Sequence, residues 1–421
     1  MRVVGIMSGT SYDGIDVAVA DLSFEPSGAI GLDPVGAAEY PHTAQVRDLI
    51  AHVLPPAEVT MQQVCELDTL LGQAFADAAA RGIEELAGGR ADLIVCHGQT
   101  VFHWIEDGRA RGTLQLGQPA WIAERTGVPV VSDLRARDIT KGGQGAPLVP
   151  IFDVLLLPPT TTARAVLNLG GIANMTVIAP NGDAVAYDLG PANALLDAAA
   201  ERFLDEPYDR DGAHAASGKI NAELLGSLLA EPYYRREPPK STGKELFNAS
   251  YLAEQLAPFP DLPSSDILAT LTELTARVIV TEIDRHDVSE VVASGGGVRN
   301  PLLMRRVREL ASPGLTVRSI DDFGIPSGAK EAYAFAVLGY LTVHGVPATI
   351  PSCTGATAPA LLGGLTPGAG PLRLPDPRGG TPAALLVRTR EDRGHDRSDD
   401  RSGDGENTVA RPDHRRRPGH P

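Results

Sequence analysis

The chain has 421 residues, of which 43% are hydrophobic and 21% charged, with a formal net charge of −16. This is the composition of a soluble globular protein, and the length allows two or three domains. An acidic chain without a basic cluster in its main body argues against nucleic acid or an anionic membrane as a partner. Because no apolar run is long enough to span a bilayer and no signal peptide precedes the first predicted strand, we expect a cytoplasmic protein. The scattered cysteines, Cys65, Cys96 and Cys353, are expected to fill the core.

The first feature in chain order is a turn rich in small and hydroxyl residues between predicted strands at residues 3–4 and 17–20. Glycines let the backbone approach an anion, and successive N–H groups in such a turn form an anion-binding concavity. Asp13 and Asp16 suit a phosphate that carries Mg²⁺, and Asp16 is the predicted metal ligand. An ordinary hairpin turn is the alternative. The predicted cofactor contacts are Gly9, Thr10, Ser11, Tyr12, Asp13, Gly14, Ile15 and Asp16.

Two helices, over residues 44–54 and 59–86, are predicted next, followed by a strand over residues 91–96. Ligands bind at strand ends in α/β sheets, so His97 and Gln99 after this strand are candidate contacts. Polar groups that are satisfied within the protein are the alternative. A strand over 113–116, a helix over 119–126 and a strand over 128–132 complete the region.

Residues 133–147 are predicted to form a charged, glycine-rich loop. A long irregular segment is uncommon in a compact domain unless it has a function. Arg135, Arg137 and Lys141 are candidates to receive an anionic substrate group, since arginine can bind a carboxylate at two points. Local ion pairs with nearby aspartates are the alternative.

A second pattern of strand, small-residue turn and strand, at residues 165–179, indicates a duplication, with a nucleotide in the cleft between two phosphate-binding hairpins. Gly170, Gly171 and Asn174 are the contacts predicted from this second turn. Asp188 ends the next predicted strand, over 185–188, where its carboxylate can project into the cleft. Helices are predicted over 194–203, 220–229, 267–283, 301–310 and 330–344, and a strand over 291–294.

Gly295, Gly296 and Gly297 separate that last strand from the helix after it. They allow either the close approach of a flat ligand such as adenine or tight packing, and the sequence leaves both open. Beyond residue 366 the chain is poor in apolar residues, and we predict a disordered tail over 367–421.

Six segments closely resemble, in order, those of the anhydro-N-acetylmuramic acid kinase family, which belongs to the actin, hexokinase and Hsp70 ATPase superfamily. They are residues 5–16, 96–100, 142–150, 168–174, 239–243 and 354–356. The resemblance implies an α/β fold with two domains, here 1–160 and 161–366, built from duplicated ribonuclease-H-like sheets with ATP and Mg²⁺ in the cleft. One segment departs from the family pattern at two positions, since Leu189 and Ala192 stand where the family has threonine and glycine. In addition, residues 327–330 precede Glu331 where the resemblance implies a more acidic stretch.

The resemblance also implies a reaction in which ATP and water convert 1,6-anhydro-N-acetylmuramic acid to N-acetylmuramic acid 6-phosphate, in peptidoglycan recycling. Asp188 matches the catalytic position and would act as the general base. Asn193 is the predicted cap of the helix that follows. A kinase for another sugar and an actin-like or chaperone-like ATPase are the alternatives, and a homodimer is left open. The predicted substrate contacts are His97, Gln99, Arg135, Gln144 and Asn193.

Overall fold

A computed structural model describes residues 1–9, 12–238, 240–243 and 245–388. The first part of the chain contains β1 (Arg2–Ser8), β2 (Gly14–Phe24), β3 (Ile30–Pro41), α1 (Ala44–Val53), α2 (Met61–Glu85), β4 (Leu93–Glu106), β5 (Arg109–Leu116), α3 (Pro119–Thr126), β6 (Val130–Ser132), α4 (Ala136–Thr140) and α5 (Pro150–Leu156). The second part contains β7 (Ala163–Leu169), β8 (Ile172–Ile178), β9 (Ala184–Pro191), α6 (Ala194–Leu204), α7 (Ala213–Ser217), α8 (Ala222–Leu229), α9 (Ala249–Leu256), α10 (Ser264–Arg285), β10 (Val288–Ser294), α11 (Pro301–Leu310), β11 (Thr316–Ser319), α12 (Lys330–Val343), α13 (Pro351–Thr354), β12 (Gly364–Thr366) and β13 (Leu385–Val387).

The two sheets repeat one strand order. The first is ordered β12-β6-β4-β1-β2-β3-β13, with β5 paired to β4, and the second β11-β10-β7-β8-β9. In each sheet three successive antiparallel strands are extended on one side by two parallel strands. Because β6-β4-β1-β2-β3 corresponds strand for strand to β11-β10-β7-β8-β9, the predicted α/β fold with duplicated sheets is confirmed.

Helix α12 packs closely on the first sheet. A Cβ atom on Gly5 of β1 would come within 2.0 Å of the Ala332 carbonyl oxygen, so only glycine allows this approach. The same hydrophobic cluster includes Val166 and Val292 from the second sheet. The segment from residue 330 onward therefore returns to the first sheet, and the predicted second domain does not run unbroken to residue 366. The predicted division near residue 160 falls between α5 and β7 and stays a prediction.

The predicted disorder of residues 367–421 is wrong for residues 367–388. Strand β13 pairs in parallel with β3 along Ile30–Leu32, and Leu385 is buried. Arg388 adds an ion pair of 2.8 Å to Glu25. Few apolar side chains are needed here because the strand is held largely by backbone hydrogen bonds at a sheet edge. Residues 389–421 lie outside the described residues.

Two further sequence expectations concern cysteines and membranes. Cys96 and Cys353 are buried as predicted, whereas Cys65 is exposed on α2, so its assignment to the core is wrong. Within the part of the chain that the structure describes, none of the helices has the length and apolar character needed to cross a membrane.

Candidate active site

Buried side chains hold the turn between β1 and β2. Ser8 Oγ lies 2.6 Å from Gln99 Oε1 and 3.0 Å from His42 Nε2. Gln99 Nε2 donates to Gly9 O at 3.2 Å. Both ends of the Gln99 amide are thus used within the protein, so Gln99 supports the turn and its predicted substrate contact is not supported. Thr10 and Ser11, both predicted cofactor contacts, lie outside the described residues.

The remaining residues of this turn, 12–15, differ in their burial and in their contacts. Tyr12 N–H donates to Gly9 O at 3.2 Å, which closes the turn, and Asp13 is exposed. Gly14 begins β2 and pairs with β3. The Ile15 side chain is only 3% exposed and packs in the core. Ile15 is therefore corrected from a cofactor contact to a core residue, because alternation along β2 points it away from the cleft.

Two other carboxylates, those of Glu39 and Glu331, act on the predicted metal ligand Asp16. Asp16 in β2 lies directly opposite Glu39 in β3. Burial and the charges of Glu39 and Glu331 raise the pKa of Asp16 to about 7. Like charges in this arrangement repel, and a cation would relieve that repulsion. The oxygen donors therefore fit Mg²⁺.

The described residues include no group of three or more His, Cys, Asp or Glu side chains arranged to hold a metal ion. This agrees with the usual coordination of Mg²⁺ in nucleotide sites, which uses one or two carboxylates together with water and substrate phosphates. A complete protein cage is not needed for such a cation.

The turn between β7 and β8 lies against the start of α6. Gly171 O accepts hydrogen bonds from the N–H groups of Ala192 and Ala194, both at 2.9 Å. Asn193 Nδ2 donates to Leu169 O at 3.1 Å and to Gly170 O at 2.8 Å. Asn193 makes no side-chain cap for α6. Its predicted roles as a helix cap and substrate contact are therefore replaced by a role in holding the second turn.

The three glycines after β10 lie beside this second turn and serve different purposes. A Cβ atom on Gly295 would come 2.7 Å from Asn168 Oδ1, and one on Gly297 would come 2.7 Å from Leu169 Cβ. A Cβ atom on Gly296 would meet no atom within 4 Å. Tight packing thus explains Gly295 and Gly297, while Gly296 faces open space that could admit a ligand.

A cavity of about 710 Å³ lies between the two halves of the chain. Asp16 and Glu39 line it from the first half, and Val298, Arg299 and Met304 line it from the second. An apolar wall next to arginines and carboxylates is typical of a site for a polar small molecule with a flat apolar part.

Asp188 lies inside β9 at a bulge. Asn174 of β8 is opposite Asp188, whereas Ala173 is opposite Gly190, so one residue of β9 is left over between the two pairs. Strand β9 continues to Pro191, so the prediction that Asp188 ends its strand is wrong. Bulges re-aim side chains and are common next to active sites. Asn174, predicted as a cofactor contact, is thus placed beside Asp188.

The environment of the Asp188 carboxyl group favours proton transfer near neutral pH. The pKa of Asp188 is raised to about 6. Burial is the largest cause of this rise, the Thr242 N–H opposes it, and the charge of Glu245 adds to it. The Thr242 N–H donates to Asp188 Oδ2 at 3.1 Å. A carboxylate with a pKa in this range suits a general base.

Arg135 is held by a neutral histidine. Arg135 Nε donates to His97 Nε2 at 2.9 Å, and His97 Nδ1 donates to Gly98 O at 2.7 Å. Burial and the charge of Arg135 lower the pKa of His97 to about 3, so the ring is neutral and can accept this hydrogen bond. Arg135 Nη1 donates to Gly145 O at 2.9 Å. His97 therefore positions Arg135, and its predicted substrate contact is not supported.

The other polar residues of this loop are engaged elsewhere. Gln144 Oε1 accepts from Ala110 N–H at 2.9 Å and Gln144 Nε2 donates to Gly108 O at 3.1 Å, which ties Gln144 to the turn between β4 and β5 instead of to a substrate. Arg137 is exposed, and Lys141 Nζ donates to Pro359 O. Arg135 is half-buried, and two hydrogen bonds, to His97 Nε2 and Gly145 O, fix its guanidinium.

Comparison with known proteins decides the family. The model for the family described as anhydro-N-acetylmuramic acid kinase matches residues 1–368. The chain is 54% identical over 358 residues to the anhydro-N-acetylmuramic acid kinase of Streptomyces coelicolor, which covers 85% of this chain and 91% of that protein. It is 43% identical over 374 residues to that of Salinibacter ruber, which covers 85% and 94% respectively. The chain belongs to the anhydro-N-acetylmuramic acid kinase family.

The predicted family, and with it a kinase, is confirmed. Among solved structures, the chain is also similar to a ROK family glucokinase from Streptomyces griseus in complex with glucose and AMPPNP, at 14% identity and a TM-score of 0.33, over 80% of this chain and 98% of that one. A TM-score of this size adds nothing to the fold, which follows from the strand order of the two sheets.

For this anhydro-N-acetylmuramic acid kinase family member, the structure also locates the two departures from the family pattern. Leu189 is 0% and Ala192 is 1% exposed, and both pack in the core of the second sheet. The missing hydroxyl therefore removes no contact in the cleft. Sequence reasoning missed Thr242 and Glu331 as parts of the site, although Thr242 belongs to a segment that resembles the family.

Proposed function

We propose that the chain uses ATP and water to open 1,6-anhydro-N-acetylmuramic acid and to phosphorylate O6, giving N-acetylmuramic acid 6-phosphate in the cytoplasmic recycling of peptidoglycan. The anhydro bridge occupies the O6 that must accept the phosphoryl group. Water must therefore add at C1 while O6 leaves C1 and attacks the γ-phosphate. Such a reaction needs a base for the water, a receptor for the anionic sugar and a phosphate site.

Asp188 carries the proposal, because it is a half-buried carboxylate with a pKa of about 6. Above that pH its oxygen is ionised and can take the proton of the water that attacks C1. The carboxylate becomes a carboxylic acid in that step and later returns the proton to solvent. Loss of such a base typically slows a reaction by a factor of about 10² to 10⁴.

Arg135 is the proposed receptor for the lactyl carboxylate of the sugar. His97 accepts from Arg135 Nε and carries no charge of its own, so it does not neutralise the guanidinium, although the charge of Glu331 also acts on Arg135. Charge-assisted hydrogen bonds from arginine to carboxylate are about twice as strong as neutral ones. A sugar without the lactyl group would lose this contact.

The nucleotide is proposed to lie between the two hairpin turns, with its phosphates near Gly9 and Gly170 and its nucleoside in the cavity lined by Val298, Arg299 and Met304. Asp16, supported by Glu39, would hold Mg²⁺ when the metal nucleotide is bound. The bound cation would neutralise charge on the phosphates. Burial is the largest cause of the raised pKa of Asp16, and the charges of Glu39 and Glu331 add to it; this part, the repulsion, supports a cation at this place.

The proposed function is tested by incubating the protein with Mg-ATP and the anhydro sugar and by measuring ADP and sugar phosphate by mass spectrometry. We expect equal amounts of ADP and of a product heavier than the sugar by one water and one phosphoryl group. N-acetylmuramic acid and glucose are run in parallel. Faster phosphorylation of either would favour a kinase for another sugar, and ADP without any sugar phosphate would favour an ATPase.

A further inference from the structure

A buried ion pair lies behind the loop that contacts Asp188. The Lys240 side chain is 0% exposed, and its Nζ lies 2.9 Å from Oε1 of Glu282, a residue of α10 whose side chain is 4% exposed. Lys240 Nζ also lies 5.3 Å from the centroid of the Tyr233 ring. Buried ion pairs contribute little to stability, because the cost of removing two charges from water offsets their attraction. Stability alone is therefore a poor explanation for this pair.

Glu282 also binds the strand that carries Asp188. Tyr187 Oη donates to Glu282 Oε2 at 3.1 Å, and Tyr187 directly precedes Asp188 in β9. One carboxylate thus binds the loop through Lys240 and the strand through Tyr187. The position of the loop along β9 is fixed by this shared partner.

The loop contacts Asp188 through backbone atoms on both sides. Asp188 N–H donates to Lys240 O at 3.3 Å, and the Thr242 N–H donates to Asp188 Oδ2 at 3.1 Å. A shift of the loop that lengthened the second contact beyond about 3.5 Å would end that hydrogen bond. The Thr242 N–H opposes the rise in the pKa of Asp188 that burial causes. The loop therefore sets both the orientation and the ionisation of this carboxylate.

We propose that Lys240 and Glu282 are positioning residues for Asp188, and that their ion pair holds the Thr242 N–H on the carboxylate in the orientation that base catalysis needs. The inference rests on the proposed role of Asp188 as the base. Within the described part of the chain, two other titratable side chains act on or contact Asp188. Tyr233 Oη donates to Asp188 O at 2.7 Å, and Glu245 acts on Asp188 through its charge.

The double variant Lys240→Met/Glu282→Gln tests this role, because it removes both charges and leaves neither one buried alone. We expect a thermal midpoint and an ATP affinity close to those of the parent, with kcat lower by about 10² because the base is misplaced. We also expect the acid limb of the kcat–pH profile to move up by about one unit, the size of one lost hydrogen bond to a carboxylate. A purely structural role would not move this limb.

Arg306→Met/Glu273→Gln is the matched control. Arg306 Nε lies 2.8 Å from Glu273 Oε2, and the Glu273 side chain is 1% exposed on the same helix α10. This pair does not touch the loop at residues 240–243. We expect the control to keep the parent's kcat–pH profile, and an equal shift in both double variants would overturn the proposal. A parent-like kcat and acid limb in Lys240→Met/Glu282→Gln would also overturn it.

Should Lys240→Met/Glu282→Gln fail to fold, Thr242→Pro and Thr242→Ala replace it. The proline removes the N–H that Asp188 accepts, and the alanine keeps it. An acid limb that moves up only in the proline variant supports the proposal, and identical limbs contradict it. Asp188→Asn separates the two hypotheses. Normal turnover in Asp188→Asn would contradict the role of Asp188 as the base. Slow turnover in Asp188→Asn, together with parent-like kinetics in the Lys240, Glu282 and Thr242 variants, would contradict only the positioning role.

Discussion

The two sheets share one strand order but support their hairpin turns in different ways. In the first sheet, side chains from three elements meet under the turn, namely Ser8, His42 and Gln99. In the second, the start of α6 donates backbone N–H groups to Gly171 O, and Asn193 adds an amide. The common topology thus determines where a turn lies, while the residues that support it differ freely between the two halves.

The two halves also differ in the charges they present to the cleft. The first half places Asp16 opposite Glu39, an arrangement that attracts a cation. The second half presents Asp188, which accepts a hydrogen bond from the Thr242 N–H and has a pKa near neutrality. The pair of Asp16 and Glu39 suits the binding of a metal-bound phosphate. The carboxylate of Asp188 suits proton transfer. The predictions below change one half at a time.

The largest effect is expected from Asp188→Asn, which keeps the shape of the side chain and removes its basic oxygen. Turnover of the anhydro sugar should fall by a factor of about 10² to 10⁴ with little change in ATP affinity. The parent's kcat should fall as pH drops below about 6, where Asp188 becomes protonated. Steady-state kinetics and nucleotide titration check both statements.

The same substitution should stabilise the fold above neutral pH. The pKa of Asp188 is raised on folding, so the stability linked to this group is fully present below the unfolded pKa of about 4 and is lost as pH rises through about 6. Asp188→Asn should therefore melt at a higher temperature than the parent at pH 8, and the difference should vanish near pH 3.5. A substituted protein that is less stable at pH 8 and turns over normally would contradict the assignment.

A smaller effect, on stability, is expected from removing β13, an edge strand of the first sheet that has no counterpart in the second sheet. A chain that ends at Gly368 loses β13, which buries Leu385 and pairs with β3. We expect a loss of about 2 to 4 kcal/mol in the free energy of unfolding and a tendency to aggregate through the exposed edge. A chain that ends at Arg388 is the control and should match the full chain. Equal stability of both truncated chains would show that β13 contributes nothing.

The sequence alone could not reveal β13, for a physical reason. Low apolar content predicts that a segment cannot build its own core, but a strand at a sheet edge needs only backbone partners and one buried leucine. Strand β3 was missed for a related reason, since Ile30–Pro41 contains glycine, proline and alanine and lacks clear alternation. Helices with strong apolar periodicity, such as α3 and α11, were predicted to within a residue.

The site was predictable in part. Glycines and charged residues mark both turns, Asp188 and Arg135 in the sequence, and the roles assigned to them stay predictions. The sequence assigned His97, Gln99 and Asn193 to the substrate, whereas the structure turns each toward a neighbouring protein group. A polar side chain near a cleft can form its hydrogen bonds with a substrate or with a neighbouring protein group. Only the three-dimensional arrangement shows which of the two it contacts.

Asp16→Asn tests the cation site of the first half. We expect the Mg²⁺ concentration needed for half-maximal activity to rise by about tenfold, the effect of losing one carboxylate ligand worth about 1.4 kcal/mol. Without metal, the substituted protein should be more stable than the parent above pH 7, because the burial of the charged carboxylate and its repulsion from Glu39 and Glu331, which raise the pKa of Asp16, are removed. Thermal melting with and without Mg²⁺ checks this. Glu254→Gln, an exposed change on α9, is the control, and parent-like Mg²⁺ dependence of Asp16→Asn would place the metal elsewhere.

The smallest effects should come from the glycine loop of the second half, where Gly297→Ala and Gly296→Ala form a matched pair. A Cβ atom on Gly297 would lie 2.7 Å from Leu169 Cβ, so the loop or β7 must shift. We expect a loss of about 1 to 3 kcal/mol in stability from this overpacking. Gly296→Ala meets nothing within 4 Å, so its stability should stay within about 0.5 kcal/mol of the parent.

The informative measurement on this pair is ATP affinity at a temperature where both proteins are folded. If the nucleoside approaches the open side of the loop, the methyl group of Gly296→Ala should weaken ATP binding by a few-fold, about 1 kcal/mol, although the fold is untouched. Gly297→Ala should weaken ATP binding only to the extent that the added methyl group shifts the glycine loop. Parent-like ATP affinity in Gly296→Ala would show that the open space beside this glycine holds no ligand, and that the loop serves only the packing of Gly295 and Gly297 against β7.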